Sequence, residues 1–268
     1  MLRVEKISKS FSKGTVKAVR SVSFELKKGG CVGLVGPNGA GKTTLIQSIC
    51  TILNPDSGGV WVGGHDIYND PVEAKKLIAY IPEVPNPFEY LTVWEHIEFS
   101  AKAYYREDWE RDAQRHLERF NLTEKKFALV HTLSKGQKQK MQIICAFVHN
   151  PKMVFMDEPL IGIDPEGAHA MKKLIREFRE KGSTFLISSH MLSLIDELCS
   201  SVLVMQKGRL VWQGSIEEIK KKQNTGDLEE AFIEITRESR SQVEDAFEEG
   251  QSARPSIMNL FAKGRRRK

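Results

Sequence analysis

The stretch Gly36-Pro37-Asn38-Gly39-Ala40-Gly41-Lys42-Thr43-Thr44 decides the reading of this chain. Gly36, Gly41, Lys42 and Thr43 fit G-x-x-x-x-G-K-[ST], the spelling of a phosphate-binding loop. A strand-like run, Cys31-Val32-Gly33-Leu34-Val35, leads into it, and a helix-compatible run from Thr44 to Ile49 leads out. Glycines in such a loop can take positive φ angles, so the backbone can wrap closely around anionic oxygens. The loop N–H groups and the N-terminus of the following helix then face the phosphates. Lys42 is expected to reach the β- and γ-phosphates, and the Thr43 hydroxyl to ligate Mg²⁺. The expectation is a nucleotide-binding protein.

Composition agrees with a soluble globular chain: 268 residues, 40% hydrophobic and 28% charged. No apolar run approaches the roughly 18 residues a membrane span needs. The start, Met1-Leu2-Arg3-Val4-Glu5-Lys6, is too charged for the apolar segment of a signal peptide. Cys31, Cys50, Cys145 and Cys199 form no C-x-x-C pair, and their apolar surroundings read as buried reduced thiols of a cytoplasmic protein. Net charge is +5, and five basic residues lie in Lys263–Lys268. Without that segment the chain carries 35 basic and 35 acidic residues. A neutral body argues against nucleic acid as a partner, because a nucleic-acid-binding body carries a basic face. The tail reads either as a solubilising end or as a contact with an anionic membrane surface.

Strand-like and helix-like segments alternate along the chain. Strands are expected at Leu2–Ile7, Val16–Leu26, Val60–Val62, Ile78–Ile81, Val154–Met156, Thr184–Ile187 and Val202–Met205. The last three are continuous apolar runs, as in a sheet covered on both faces. A helical pattern runs from Thr92 to Phe120, where Thr92 and Glu95 spell a capping box. It reads as an inserted subdomain, followed by a helix from Lys135 to His149. Further helices are expected from Pro165, from His190, at Ile216–Lys222 and at Leu228–Arg237, with a hairpin around Lys207-Gly208.

Met153-Val154-Phe155-Met156-Asp157-Glu158 is an apolar strand that ends in two carboxylates. The C-terminal end of a parallel strand opens into the ligand crevice. Asp157 is therefore expected to hold Mg²⁺, and Glu158 to orient and deprotonate the attacking water. Leu133-Ser134-Lys135-Gly136-Gln137 stands at a helix start 23 residues before Asp157. A serine cap and a glycine N–H there make an anion site.

Together these motifs resemble the nucleotide-binding subunit of an ATP-binding cassette (ABC) transporter. Leu133–Gln137 is similar to the family signature L-S-G-G-Q, with Lys135 in place of the first glycine. The resemblance covers about residues 2 to 237. It implies that Phe11 stacks on adenine, that His190 contacts the γ-phosphate, and that Ile163-Asp164-Pro165 links two subunits. Glu83 stands where the family usually has glutamine, as a metal ligand that signals to the membrane partner. A carboxylate supplies the same kind of hard oxygen ligand with added charge. Tyr80–Glu83, Phe88–Val93 and Asp227–Phe232 are similar to drug- and polysaccharide-type (ABC-2) exporter subunits.

The implied fold is an α/β P-loop NTPase with a RecA-like core, an N-terminal antiparallel β subdomain and a helical subdomain at about 84–150. The cassette would occupy residues 1–237, followed by a polar, basic tail at 238–268. The implied activity is hydrolysis of ATP to ADP and phosphate, with Mg²⁺. Two subunits would sandwich two ATP molecules head to tail, Ser134, Gly136 and Gln137 of one meeting the phosphates on Lys42 of the other. One phosphate loop and one signature per chain require a second copy or a paralogue. Without a span of its own, the chain would sit peripherally on the cytoplasmic face of the membrane beside a separate permease. A non-transport ABC ATPase would usually carry two cassettes or a coiled coil, and a regulatory subunit would usually have lost Glu158 or His190; an importer remains open.

Overall fold

Residue alternation along the strands builds two separate cores. The computed structural model describes residues 1–238. The basic segment Lys263–Lys268 and most of the expected tail lie outside the described residues. The strands are β1 (Leu2–Phe11), β2 (Val16–Leu26), β3 (Cys31–Val35), β4 (Ser57–Val62), β5 (His65–Asp66), β6 (Ile78–Ile81), β7 (Met153–Asp157), β8 (Thr184–Ser188), β9 (Ser201–Gln206) and β10 (Arg209–Ser215). One sheet has the order β2-β1-β4-β5 and is antiparallel; the other has the order β10-β9-β3-β8-β7-β6. In the second, β6, β7, β8, β3 and β9 run parallel, and β10 closes an antiparallel hairpin on β9.

The phosphate-loop helix α1 (Lys42–Ile49) lies between the two sheets. Its Leu45, Ile46 and Ile49 share one cluster with Leu2, Val4 and Phe24 of the antiparallel sheet and with Leu34, Phe155 and Leu186 of the parallel one. The opposite face of the parallel sheet presents Cys31, Val35, Val154, Met156 and Ile187 to the helices. Those helices are α2 (Pro71–Lys76), α3 (Val93–Ala103), α4 (Glu110–Arg119), α5 (Lys135–Phe147), α6 (Pro165–Glu180), α7 (Leu192–Leu198) and α8 (Ile216–Lys222). All but α2 contribute to this second cluster, whereas Ala74 of α2 belongs to the first. Residues 228–238 add a last helical segment.

Local signals hold where the chemistry is contiguous. Thr92 Oγ1 accepts from the Glu95 N–H at 3.2 Å and Glu95 Oε2 from the Thr92 N–H at 2.8 Å, the expected capping box. The single helical pattern over 92–120 divides into α3 and α4. Tyr105 turns the chain with φ 56, and Trp109 folds back so that its ring lies 4.7 Å from that of Trp94. Periodicity continues across this break because both helices bury their apolar faces on α5. β1 runs on past Ile7 to Phe11 through register shifts against β2, carrying polar Ser8, Lys9 and Ser10 on a half-buried ribbon.

One buried and one half-buried histidine set an acid limit. His116 of α4 is 1% exposed, and neither ring nitrogen has a hydrogen-bond partner among the described residues. Burial first, then the Arg115 and Arg119 guanidinium groups, push its pKa down to about 4, against Asp112 and Glu177. Burial also pushes His149 down to about 4. The folded value lies below the ordinary 6.5, so the unfolded chain takes up these protons first as pH falls. Their contribution is complete above pH 6.5 and is lost as pH drops toward 4, at roughly 3 kcal/mol each at most. His116→Leu should therefore show a flatter melting temperature than the parent between these limits. Parallel acid losses in both proteins would show that His116 does not drive the effect.

Candidate active site: a phosphate cavity and a separate signature face

The loop Gly36–Gly41 joins β3 to α1, and its glycines answer to neighbours rather than to the loop alone. A Cβ on Gly36 would lie 2.3 Å from the Met205 carbonyl oxygen. Gly41 has φ +101, and a Cβ there would lie 2.2 Å from the Ala18 carbonyl oxygen. The loop is thus pressed onto β9 and β2, and its other side opens into a cavity of about 540 Å³. Asn38, Gly39, Ala40, Gly41, Lys42, Thr43 and Thr44 line it on one side, with Glu83, Asp157, Glu158, Ser188 and His190 facing them.

Lys42 folds back over its own loop. Its Nζ donates to the Gly36 carbonyl at 2.7 Å and to that of Pro37 at 3.3 Å. Burial lowers its pKa, and the Glu158, Asp157 and Glu83 carboxylates work against that fall. Asp157, at the end of β7, is 1% exposed, and among the described residues neither carboxylate oxygen closes a hydrogen bond. Burial raises its pKa, while the nearby Thr43 and Ser188 hydroxyls oppose the rise. A buried carboxylate with both oxygens open, beside a threonine hydroxyl and facing a phosphate loop, fits a hard divalent cation. Among the described residues no group of three His, Cys, Asp or Glu forms a metal cage. Mg²⁺ takes one or two carboxylates and completes its shell with phosphate and water.

Glu158 is 9% exposed and holds φ 47, a left-handed backbone conformation rarely taken by a residue with a side chain. Its N–H donates to the Ser188 carbonyl at 2.9 Å. Oε2 accepts from Ser189 Oγ at 3.2 Å and pairs with His190 Nδ1 at 2.9 Å. The carboxylate is thus aimed by two groups from the end of the adjacent strand, a geometry able to seat and deprotonate a water.

The structure does not bring every expected residue to this cavity. Ser134, Gly136 and Gln137 border a different hollow of about 420 Å³, with Lys140, Gly162 and Asp164. Ser134 Oγ accepts from the Gln137 N–H at 3.2 Å, and Gln137 Oε1 accepts from the Ser134 N–H at 3.0 Å. A Cβ on Gly136 would lie 2.6 Å from the Gly162 carbonyl oxygen, so the signature packs directly on the loop after Glu158. Lys140 Nζ pairs with Asp164 Oδ2 at 2.8 Å across the same contact. Phe11 ends β1 opposite Val16, 38% exposed, and does not line the phosphate cavity. Ala18, Ile161, Ser188 and Ser189 were not singled out by sequence. The two serines had a local signal, hydroxyls directly ahead of His190. Ala18 had none, since only the tertiary fold carries β2 to the loop.

A profile of the ABC transporter family matches residues 19–161, and the chain belongs to that family. It is 31% identical over 242 residues to the ABC-type transporter ATP-binding protein EcsA of Bacillus subtilis (strain 168), covering 89% of this chain and 97% of that protein. It is 35% identical over 217 residues to the linearmycin resistance ATP-binding protein LnrL of the same organism, covering 80% of this chain and 69% of that protein. A solved structure of the ATP-binding subunit of an ABC transporter superposes with a TM-score of 0.84 at 32% identity, over 88% of this chain and 99% of that one. The protein is an ATP-binding, ATP-hydrolysing subunit with the P-loop NTPase fold, and it powers transport through a separate membrane permease. Among the described residues no helix is long and apolar enough to cross a membrane.

Proposed function

We propose that this subunit drives export, works on the cytoplasmic face of the membrane, and hydrolyses ATP as a head-to-tail pair of cassettes. One observation carries the pairing. Lys42, Asp157, Glu158 and His190 converge within one chain, whereas Ser134, Gly136 and Gln137 open elsewhere. Each chain thus holds two half-sites, and a second cassette, identical or related, completes both. Export is supported by the exporter-like spellings at Tyr80–Glu83 and Asp227–Phe232 and by the similarity to a resistance protein.

Within the pair, the loop N–H groups and Lys42 hold the β- and γ-phosphates. Thr43, Asp157 and Glu83 would hold Mg²⁺, which when bound would supply neutralisation of charge at the phosphates. Glu158 Oε2 accepts the proton of the attacking water, steadied by Ser189 and His190. His190, with its side chain 58% exposed, reaches the γ-phosphate, and Phe11 stacks on adenine. Ser134 and Gly136 close the site from the partner.

Ser134→Arg tests this arrangement. It should leave ATP affinity of the isolated subunit nearly unchanged and cut hydrolysis on the order of tenfold or more, because the bulk of an arginine holds the two cassettes apart and misplaces the composite site. A mixture with Lys42→Ala contains dimers in which one composite site has both parts intact. Hydrolysis by the mixture should exceed that of either variant alone. A large loss of ATP affinity in isolated Ser134→Arg would place Ser134 in its own chain's site and overturn the pairing.

A further inference from the structure

One buried amide ties the two half-sites together. Gln139 lies on α5, the helix that begins beside Ser134, and is 1% exposed. Its Nε2 donates to the Pro82 carbonyl at 3.2 Å. Its Oε1 has no hydrogen-bond partner among the described residues. A buried amide oxygen left unpaired is costly, so packing alone would favour an apolar side chain of the same length. What the amide adds at this place is the bond to Pro82. Pro82 is the first residue beyond β6, it has no N–H to continue a strand ladder, and it immediately precedes Glu83.

The chain beyond Glu83 next returns to the body at Phe88, whose N–H donates to His96 Nε2 at 3.2 Å. Glu89 follows, with its side chain 3.1 Å from Lys138 of α5. That second pair has a 57% exposed carboxylate and so makes a weak, screened tie. Gln139 is therefore the stiff connection between α5 and the residue that carries Glu83 into the phosphate cavity.

We propose that Gln139 is a positioning residue for Glu83. It fixes the Pro82 carbonyl to α5, so that a shift of Ser134 against the partner's nucleotide moves Glu83 relative to the subunit's own metal and phosphate. The inference rests on the assignment of Glu83 to the metal and of Ser134 to the partner's site.

The test uses the full chain with Gln139→Met, Glu83→Ala and the double variant. Three quantities are measured: the Mg²⁺ concentration giving half-maximal hydrolysis, amide hydrogen exchange of the segment 80–91 in the presence of ATP, and melting temperature. Gln139→Met should raise the half-saturating Mg²⁺ about fivefold, the worth of one hydrogen bond. It should also speed exchange within 83–91 while leaving the melting temperature nearly unchanged. In the Glu83→Ala background the same change should raise the Mg²⁺ requirement no further. A fivefold rise that persists without Glu83, or exchange and Mg²⁺ dependence that do not move, overturns the role of Gln139 alone. Parental Mg²⁺ dependence in Glu83→Ala overturns the metal assignment and, with it, this inference. Should Gln139→Met fail to fold, Gln139→Leu removes the same donor and is held to the same outcomes.

Discussion

Glu158→Gln should still bind ATP and should hydrolyse it about 10²–10⁴-fold more slowly, the usual worth of a general base. The exchange is nearly isosteric, so the positive φ at this position and the packing against β8 are not asked to change. Ser189 Oγ and His190 Nδ1 can still donate to the amide oxygen that replaces Oε2. What disappears is a group able to take a proton from water. Removing the negative charge also lifts the leading carboxylate influence on the buried Lys42, so ATP affinity should hold or rise. Nucleotide affinity and phosphate release, measured on the same preparation, separate the two effects. Turnover close to the parent's would remove Glu158 from the role of base and leave it as a support for His190.

Gly41→Ala should damage binding itself. The backbone there has φ +101, where an L-residue pays on the order of 1–3 kcal/mol. The added methyl would also stand 2.2 Å from the Ala18 carbonyl oxygen, and that neighbour is backbone. It cannot rotate away as a flexible side chain can. The Gly208 N–H donates to the Ala40 carbonyl at 3.0 Å and its carbonyl accepts from the Arg20 N–H at 2.8 Å, so β2, the loop and the β9–β10 turn are pinned to one another. Either the loop opens or β2 moves off it, and both spread the N–H groups that should converge on phosphate. Affinity for ATP should fall on the order of 10²-fold, with a melting temperature lower by several degrees. Parental values for both would mean that the loop has another conformation open to it.

The parts legible in the sequence are those whose physics is contiguous. A phosphate loop is read from nine neighbouring residues because backbone geometry and helix start are local properties. The same holds for the capping box at Thr92, the serine cap at Ser134 and the apolar strands β7, β8 and β9. Other features depend on residues far apart in the chain. Nothing near Ala18 announces that it will close the loop from behind, and the hydroxyl ahead of His190 does not say that Ser189 will bond to Glu158. The division of 92–120 into two helices was hidden for a related reason. The tilted packing of Trp109 against Trp94 rewards a reversal, whereas periodicity alone favours continuation. The separation of Ser134 from Lys42 entered through family resemblance, since spacing along the chain cannot say which surfaces face a partner.

The position of α1 between the two sheets has a consequence for how the protein comes apart. A helix clamped on both sides can open only when one sheet lifts away, so its amides should exchange with solvent only in the largest opening events. The helices α3 and α4 pack on one side, against α5, and can loosen in smaller steps. Damage that accumulates in that outer layer should therefore spare nucleotide binding longest. The fold thus places its most durable structure beneath the phosphate loop.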